Sequence, residues 1–211
     1  MRILVVGASK GTGALAVRAA LARGHEVTAF ARHPERLVME DARLARRSGD
    51  FHDTAAVRLA VPGHDAVIVT ASATSLRAFE EDPNYFSRGT ALVVEAMRTA
   101  GVRRLVVLSA FGVGETRPLV GFLMGKLMMS WLLKVPFEDH ARQEALVRES
   151  KLDWVIARPT RLTNRPAHGR FRRTAALERV PSSISRADVA AFLVEACESE
   201  VLVGKAIQLG G

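Results

Sequence analysis

Short, largely apolar runs rich in β-branched residues alternate along the chain with longer stretches whose apolar positions recur at helical spacing. Arg2 to Val6, Glu26 to Phe30, Ala66 to Thr70, Leu105 to Ser109 and Trp154 to Ala157 read as strands covered on both faces. Between them, Gly13 to Arg23, Ser87 to Ala100 and Glu138 to Glu149 carry the helical period, as Leu92, Val93, Ala96 and Met97 illustrate. The alternation predicts an α/β chain: a doubly wound parallel sheet in a three-layer α/β/α arrangement, each strand-helix-strand unit crossing over right-handedly. A third strand is expected near Ala42 to Arg47, where Leu44 is the only large apolar residue. The last third is less regular and reads as a small C-terminal, substrate-side region. There, Ser185-Arg186-Ala187-Asp188 has the form of a capping box ahead of the run Val189 to Ala196, and Lys205 to Leu209 reads as a closing strand.

A length of 211 residues with 48% hydrophobic positions suits one substantial core, so residues 1–211 are expected to form one domain. The single cysteine, Cys197, has no intrachain partner and reads as a buried thiol in a reducing compartment. The opening run Ile3 to Val6 is too short for a signal-peptide core, which points to the cytoplasm. The stretch from Leu119 to Val135 is interrupted by Gly121, Gly125, Lys126, Ser130 and Lys134 and falls short of a membrane span. The net charge of +8 is spread as scattered arginine. Its nearest approach to a cluster, Arg170, Arg172 and Arg173 around Phe171, matches no nucleic-acid module, so the charge is read as attracting an anionic cofactor or substrate.

The chemistry starts directly after the first strand, with Gly7-Ala8-Ser9-Lys10-Gly11-Thr12-Gly13 opening the first helical run. Unpaired N–H groups and the positive dipole end at a helix start accept a diphosphate when no side chain blocks its approach. Glycines at 7, 11 and 13 supply the turn, the close approach and the tight helix-sheet packing. Ser9 and Thr12 can add hydroxyl donors; Lys10 either adds charge or points to solvent. Beyond the second strand there is no acidic residue at the place where NAD-specific folds hold the ribose hydroxyls. Arg32 stands there instead, with Arg36 one helical turn on, and guanidinium groups pair with the 2'-phosphate of NADP(H). Asp50 follows the third strand, either as an adenine acceptor or as an ordinary turn residue. Thr70 and Ala71 end the fourth strand at the carboxyl edge, where such folds place ligands.

These segments, together with Arg32-His33-Pro34-Glu35-Arg36-Leu37, Leu105 to Gly112 and Asp153 to Pro159, resemble the atypical short-chain dehydrogenase/reductase superfamily. Within it they resemble the group holding flavin and biliverdin-IXβ reductases and NmrA-like proteins, with their Rossmann fold. The resemblance implies that Gly7, Gly11, Thr12 and Gly13 hold the diphosphate and Arg32 and Arg36 the 2'-phosphate. It further implies that Ser109 faces the nicotinamide, while Pro159 and Thr160 give backbone contacts near its carboxamide. In the flavin-reductase relatives a histidine follows the position of Thr160; here it is Arg161. The superfamily's Tyr-x-x-x-Lys positions hold Pro136 and His140, and the sole tyrosine, Tyr85, is followed four residues later by Gly89.

Without that dyad, hydride transfer has to rely on positioning the nicotinamide against a planar conjugated acceptor such as a flavin or quinone. Ser109 is a candidate to hydrogen-bond the acceptor, or it caps a turn. His140 is the remaining titratable candidate for catalysis, or a structural histidine beside Asp139. No histidine or cysteine cluster supports a metal. The apolar 119–135 segment reads as a lid over the acceptor, as a core helix, or as the face for a homodimer or partner protein. The same residues leave open a second function, a non-catalytic NADP(H)-binding regulator of the NmrA-like type.

Overall fold

The computed structural model of the chain describes residues 1–71, 77–120 and 131–211. Ten strands and six α-helices alternate in it. They are β1 (Arg2–Val6), α1 (Gly11–Ala22), β2 (Glu26–Ala31), β3 (Leu44–Ser48), α2 (Thr54–Ala60), β4 (Ala66–Val69), α3 (Arg77–Glu81), α4 (Tyr85–Ala100) and β5 (Arg104–Leu108). After these come α5 (Trp131–Glu149), β6 (Asp153–Pro159), β7 (Arg161–Thr163), β8 (Arg172–Thr174), β9 (Ser183–Ser185), α6 (Arg186–Glu198) and β10 (Lys205–Gly210). Eight strands form one sheet in the order β3-β2-β1-β4-β5-β6-β10-β8, parallel except for β8. This is the expected doubly wound Rossmann sheet.

Alternation along β1 sorts the core. Ile3 and Val5 point to the layer holding α1 and α6, where they pack with Ala16, Val17, Phe192 and Leu193. Leu4 and Val6 point to the opposite layer, against Val57, Val93 and Met97. Each fully buried aliphatic side chain of this kind contributes about 1.5–3 kcal/mol through burial. Cys197 lies within the first layer, where burial pushes its thiol up to about 12.

The third strand runs over Leu44–Ser48 and pairs only with β2, at the sheet edge. Its poverty in apolar residues follows from that position: only Leu44 is even partly covered, and Arg46 and Arg47 lie exposed, as charged residues do on protected edges. Helix α2, with Asp53 accepting from the Ala55 and Ala56 N–H groups, and the short strands β7, β8 and β9 were not expected. The capping serine at 185 accepts from Asp188 N–H at 2.9 Å and donates its own proton to Asp188 Oδ2 at 2.7 Å. The Asp188 carboxylate also takes the Gly169 N–H at 2.9 Å, which ties the 165–170 loop to the start of α6.

Registers bring the functional ends into line. Val6 sits opposite Phe30 and Val69, Val69 opposite Val107, and Leu108 opposite Ala157. The turns after β1, β2, β4, β5 and β6 therefore share one edge of the sheet. Residues 121–130, the greater part of the apolar 119–135 segment, lie outside the described residues, as does the expectation that this segment is a lid, core helix or interface.

Candidate cofactor and acceptor site

The β1–α1 turn is glycine-dependent for two separate reasons. Gly7 has φ +88°, a left-handed conformation, and a Cβ there would lie 2.6 Å from Ala71 N. At Gly13 a Cβ would sit 2.2 Å from the Gly7 carbonyl oxygen and 2.6 Å from Thr70 Oγ1. The turn is thus pressed onto the end of β4, where Thr70 donates both its N–H and its hydroxyl to the Val6 carbonyl, each at 2.9 Å. Thr12 is buried in the first turn, and no side chain caps the helix start at Lys10. The first-turn N–H groups are open to a ligand. Space opens on the outer side of Gly11, where the nearest atom to an added Cβ is Arg186 Nε at 4.0 Å. Arg186 is held by a hydrogen bond from its guanidinium to Asn164 Oδ1 at 2.8 Å.

Gly7, Ser9, Lys10, Arg32, Arg36, Asp50 and Ala71 line one cleft with about 630 Å³ of empty space. Arg32 and Arg36 are exposed and form no ion pair among the described residues, and Asp50 is the carboxylate that shares the cleft with them. Asp50 accepts the His52 N–H at 2.9 Å and so also serves its turn. Tyr85 and Phe51 complete the wall, with ring centroids 5.6 Å apart, and neither was anticipated as a lining residue. Gly89 explains the pairing. A Cβ there would lie 2.1 Å from the Phe51 ring, so the glycine four residues after Tyr85 makes room for an aromatic.

At the other end of the edge lie Ser109 and His140, the two candidates for catalysis. Ser109 does not turn its hydroxyl outward. It donates to Glu144 Oε1 at 2.6 Å, and both residues are buried. Glu144 in turn receives Arg158 Nε at 2.8 Å and a second, short bond from Arg158 Nη2. The other face of that guanidinium bonds both oxygens of Glu115 at 3.0 Å. Burial opposes charge on Arg158, but its bonds to Glu144 and Glu115 outweigh that and hold it charged. The same bonds from Arg158 keep the Glu115 carboxyl at about 2.

His140 lines neither this cleft nor the one described next, among the described residues. Its ring stacks on Phe86 at 4.1 Å and its Nδ1 faces Gln143 Oε1 at 2.9 Å, while burial lowers its pKa. The neighbouring Asp139 serves the fold, accepting from Phe86 N at 2.6 Å and Ser87 Oγ at 2.6 Å at the start of α4. Thr160 gives its N–H to the Leu209 carbonyl at 2.9 Å, and the Pro159 carbonyl accepts from Phe111 N at 2.9 Å. Of the expected carboxamide contacts, the Thr160 N–H is thus already committed within the sheet. Pro159 and Thr160 do line a second, mainly apolar cleft with Ala110, Phe111, Leu119, Val120 and Phe137, with about 1030 Å³ of empty space.

A family model described as NAD(P)H-binding matches residues 7–200, nearly the whole of the chain and all of the elements that build both clefts. The chain belongs to the NAD(P)H-binding family. Among its relatives, the 3-diazoavenalumate denitrifying reductase of a Streptomyces species is 37% identical over 129 residues, 57% of this chain and 41% of that protein. The chain spans less than half the length of the curated relatives it matches. Two solved structures share its fold across its full length. The wide-type short-chain dehydrogenase/reductase of Veillonella parvula in complex with NADP has a TM-score of 0.84 at 18% identity, with 94% of that chain covered. The ChuY anaerobillin reductase of Escherichia coli O157:H7 has 0.81 at 22%, with 97% covered. Within this NAD(P)H-binding chain, no helix among the described residues is long and apolar enough to cross a membrane.

Proposed function

We propose that this chain is an NADPH-dependent reductase that passes hydride to a planar conjugated acceptor, a flavin, quinone or similar compound, without a Tyr-Lys dyad. The observation that carries the cofactor choice is the pair Arg32 and Arg36, exposed and in no ion pair among the described residues, in the same cleft as the glycine turn. A 2'-phosphate dianion supplies the missing counter-charge, and NADH has none to offer. In this reading the diphosphate lies over Gly7 to Gly13, Asp50 and Ala71 flank the adenosine, and the nicotinamide reaches the β5 and β6 ends beside the apolar cleft. The reductase class is supported by the name of the Streptomyces relative and by that of ChuY. With Pro136 and His140 at the dyad positions, the acceptor takes its proton from water or needs none.

The inward hydrogen bond of Ser109 and the position of His140 also suit a second reading, a non-catalytic NADP(H)-binding regulator. Absorbance of NADPH in the presence of FMN, a short-chain quinone or biliverdin separates the two: saturable consumption supports the reductase, and tight NADPH binding without consumption supports the regulator. For the cofactor, Arg32→Ala should weaken NADPH by about 10- to 100-fold, the worth of a charged hydrogen-bonding pair, and leave NADH within a factor of about two. Equal losses for both would remove Arg32 from the phosphate site.

A further inference from the structure

The apolar cleft at the β5–β6 edge carries two cations that have no partner among the described residues. Arg161, directly after Thr160, and Arg179, in the segment leading into β9, both line it, both are exposed, and neither side chain makes an ion pair or hydrogen bond among the described residues. Several nearby arginines are engaged. Arg172 pairs with Glu178 at 2.9 Å, Arg173 with Glu195, Arg186 with Asn164 and Arg158 with Glu115 and Glu144. Glu178, next in sequence to Arg179, is therefore engaged elsewhere, and its carboxyl is held low by hydrogen bonds from Thr174 and Arg172. Among the described residues no Asp or Glu lines the cleft. Its described walls are otherwise chiefly Phe111, Leu119, Val120, Phe137 and Pro159.

An apolar slot ending in two uncompensated guanidinium groups has a definite complement. The walls favour an apolar body, and the exposed guanidinium groups favour an acidic group on it. We infer that Arg161 and Arg179 form an acid-recognition site and that the acceptor is amphipathic, with an apolar conjugated body and a carboxylate, phosphate or sulfonate at the cleft mouth. Its identity as hydride acceptor rests on the reductase reading. The acid site itself rests only on the cleft.

The test uses anilinonaphthalene sulfonate and its uncharged counterpart N-phenylnaphthylamine, two fluorescent probes with the same ring system, titrated into the full chain with and without NADP. Arg161→Gln/Arg179→Gln should weaken the sulfonate about tenfold or more, the scale of one charged bond, and leave the neutral probe within about twofold. Arg165→Gln, outside the cleft, should change neither, and thermal unfolding of each variant checks that it is folded. Failure of the sulfonate to bind the wild-type chain, an unaltered affinity in the double variant, or equal weakening of both probes would overturn the proposal. In parallel, NADPH consumption is compared for FMN and riboflavin, which share one ring system and differ in a phosphate. Loss of the sulfonate in the double variant without turnover of any acceptor would leave the acid site standing and remove the reductase reading. A preference for FMN over riboflavin that disappears in the double variant would support both.

Discussion

Removing the Arg158 guanidinium is the sharpest test of how the acceptor end of the sheet is held. Arg158 is 1% exposed and Glu144 3%, and between them run two charge-assisted bonds, with two more to Glu115. Arg158→Met keeps the volume and the apolar stem but strands the Glu144 carboxylate, whose remaining neighbours are the Ser109 hydroxyl at 2.6 Å and Arg148 Nη2 at 3.8 Å. Breaking a buried pair from one side costs about 3–5 kcal/mol, and the residual cation at Arg148 places this case near 3. For a chain of this size that corresponds to a fall in Tm of about 6–12 °C. Adding Glu144→Met and Ser109→Ala removes the buried groups left unsatisfied, while the half-exposed Glu115 keeps its bond from Arg148 at 3.0 Å, so the triple variant should return to within about 1.5 kcal/mol of the parent. Urea unfolding, followed by the midpoint at constant slope, reads all three proteins. A single-variant loss below about 1 kcal/mol, or a triple variant no more stable than the single, would refute the view that the cluster is a closed set of mutually dependent charges.

Gly13→Ala forces a methyl to within 2.2 Å of the Gly7 carbonyl, so the turn must move; a stability loss of about 1–3 kcal/mol together with at least about tenfold weaker NADPH binding is expected by calorimetry. Arg186→Gln should weaken NADPH and NADH by a similar factor, because in the proposed binding mode the nearby Gly11 turn faces the diphosphate that both share; a selective loss of NADPH would place Arg186 at the 2'-phosphate instead. Glu115 is held at about 2 by Arg158, below its ordinary 4.5, so its contribution is fully present above pH 4.5 and is lost as pH falls through 2. Urea midpoints should therefore decline across that window in the parent and less steeply in Glu115→Gln.

The two ends of the site differ in how far the chain itself announces them, and the reason is sequence distance. The proposed cofactor end draws on the glycine turn after β1 and on Arg32 and Arg36 in the next connection, each defined by its place relative to a strand whose apolar run is unmistakable. Even the edge strand β3, with one apolar residue, follows from the others, because β2 needs a parallel partner. At the acceptor end, each side chain's role is set by a residue far along the chain. Ser109 has the motif position of a catalytic serine, but Glu144, 35 residues on, takes its proton inward, and no local pattern contains that fact. His140 is drawn against Phe86 from a different helix, and Arg186 reaches the Gly11 turn from the opposite end of the sequence. Arg161 could be recognised beforehand only as a departure from the histidine of similar reductases; its place in one cleft with Arg179 follows only once β7 pairs with β9. A cleft whose polar groups come from separate connections can change its acceptor by single substitutions without disturbing the glycine turn. In such a chain the cofactor is legible from motif, and the acceptor has to be read from which charges the fold leaves without partners.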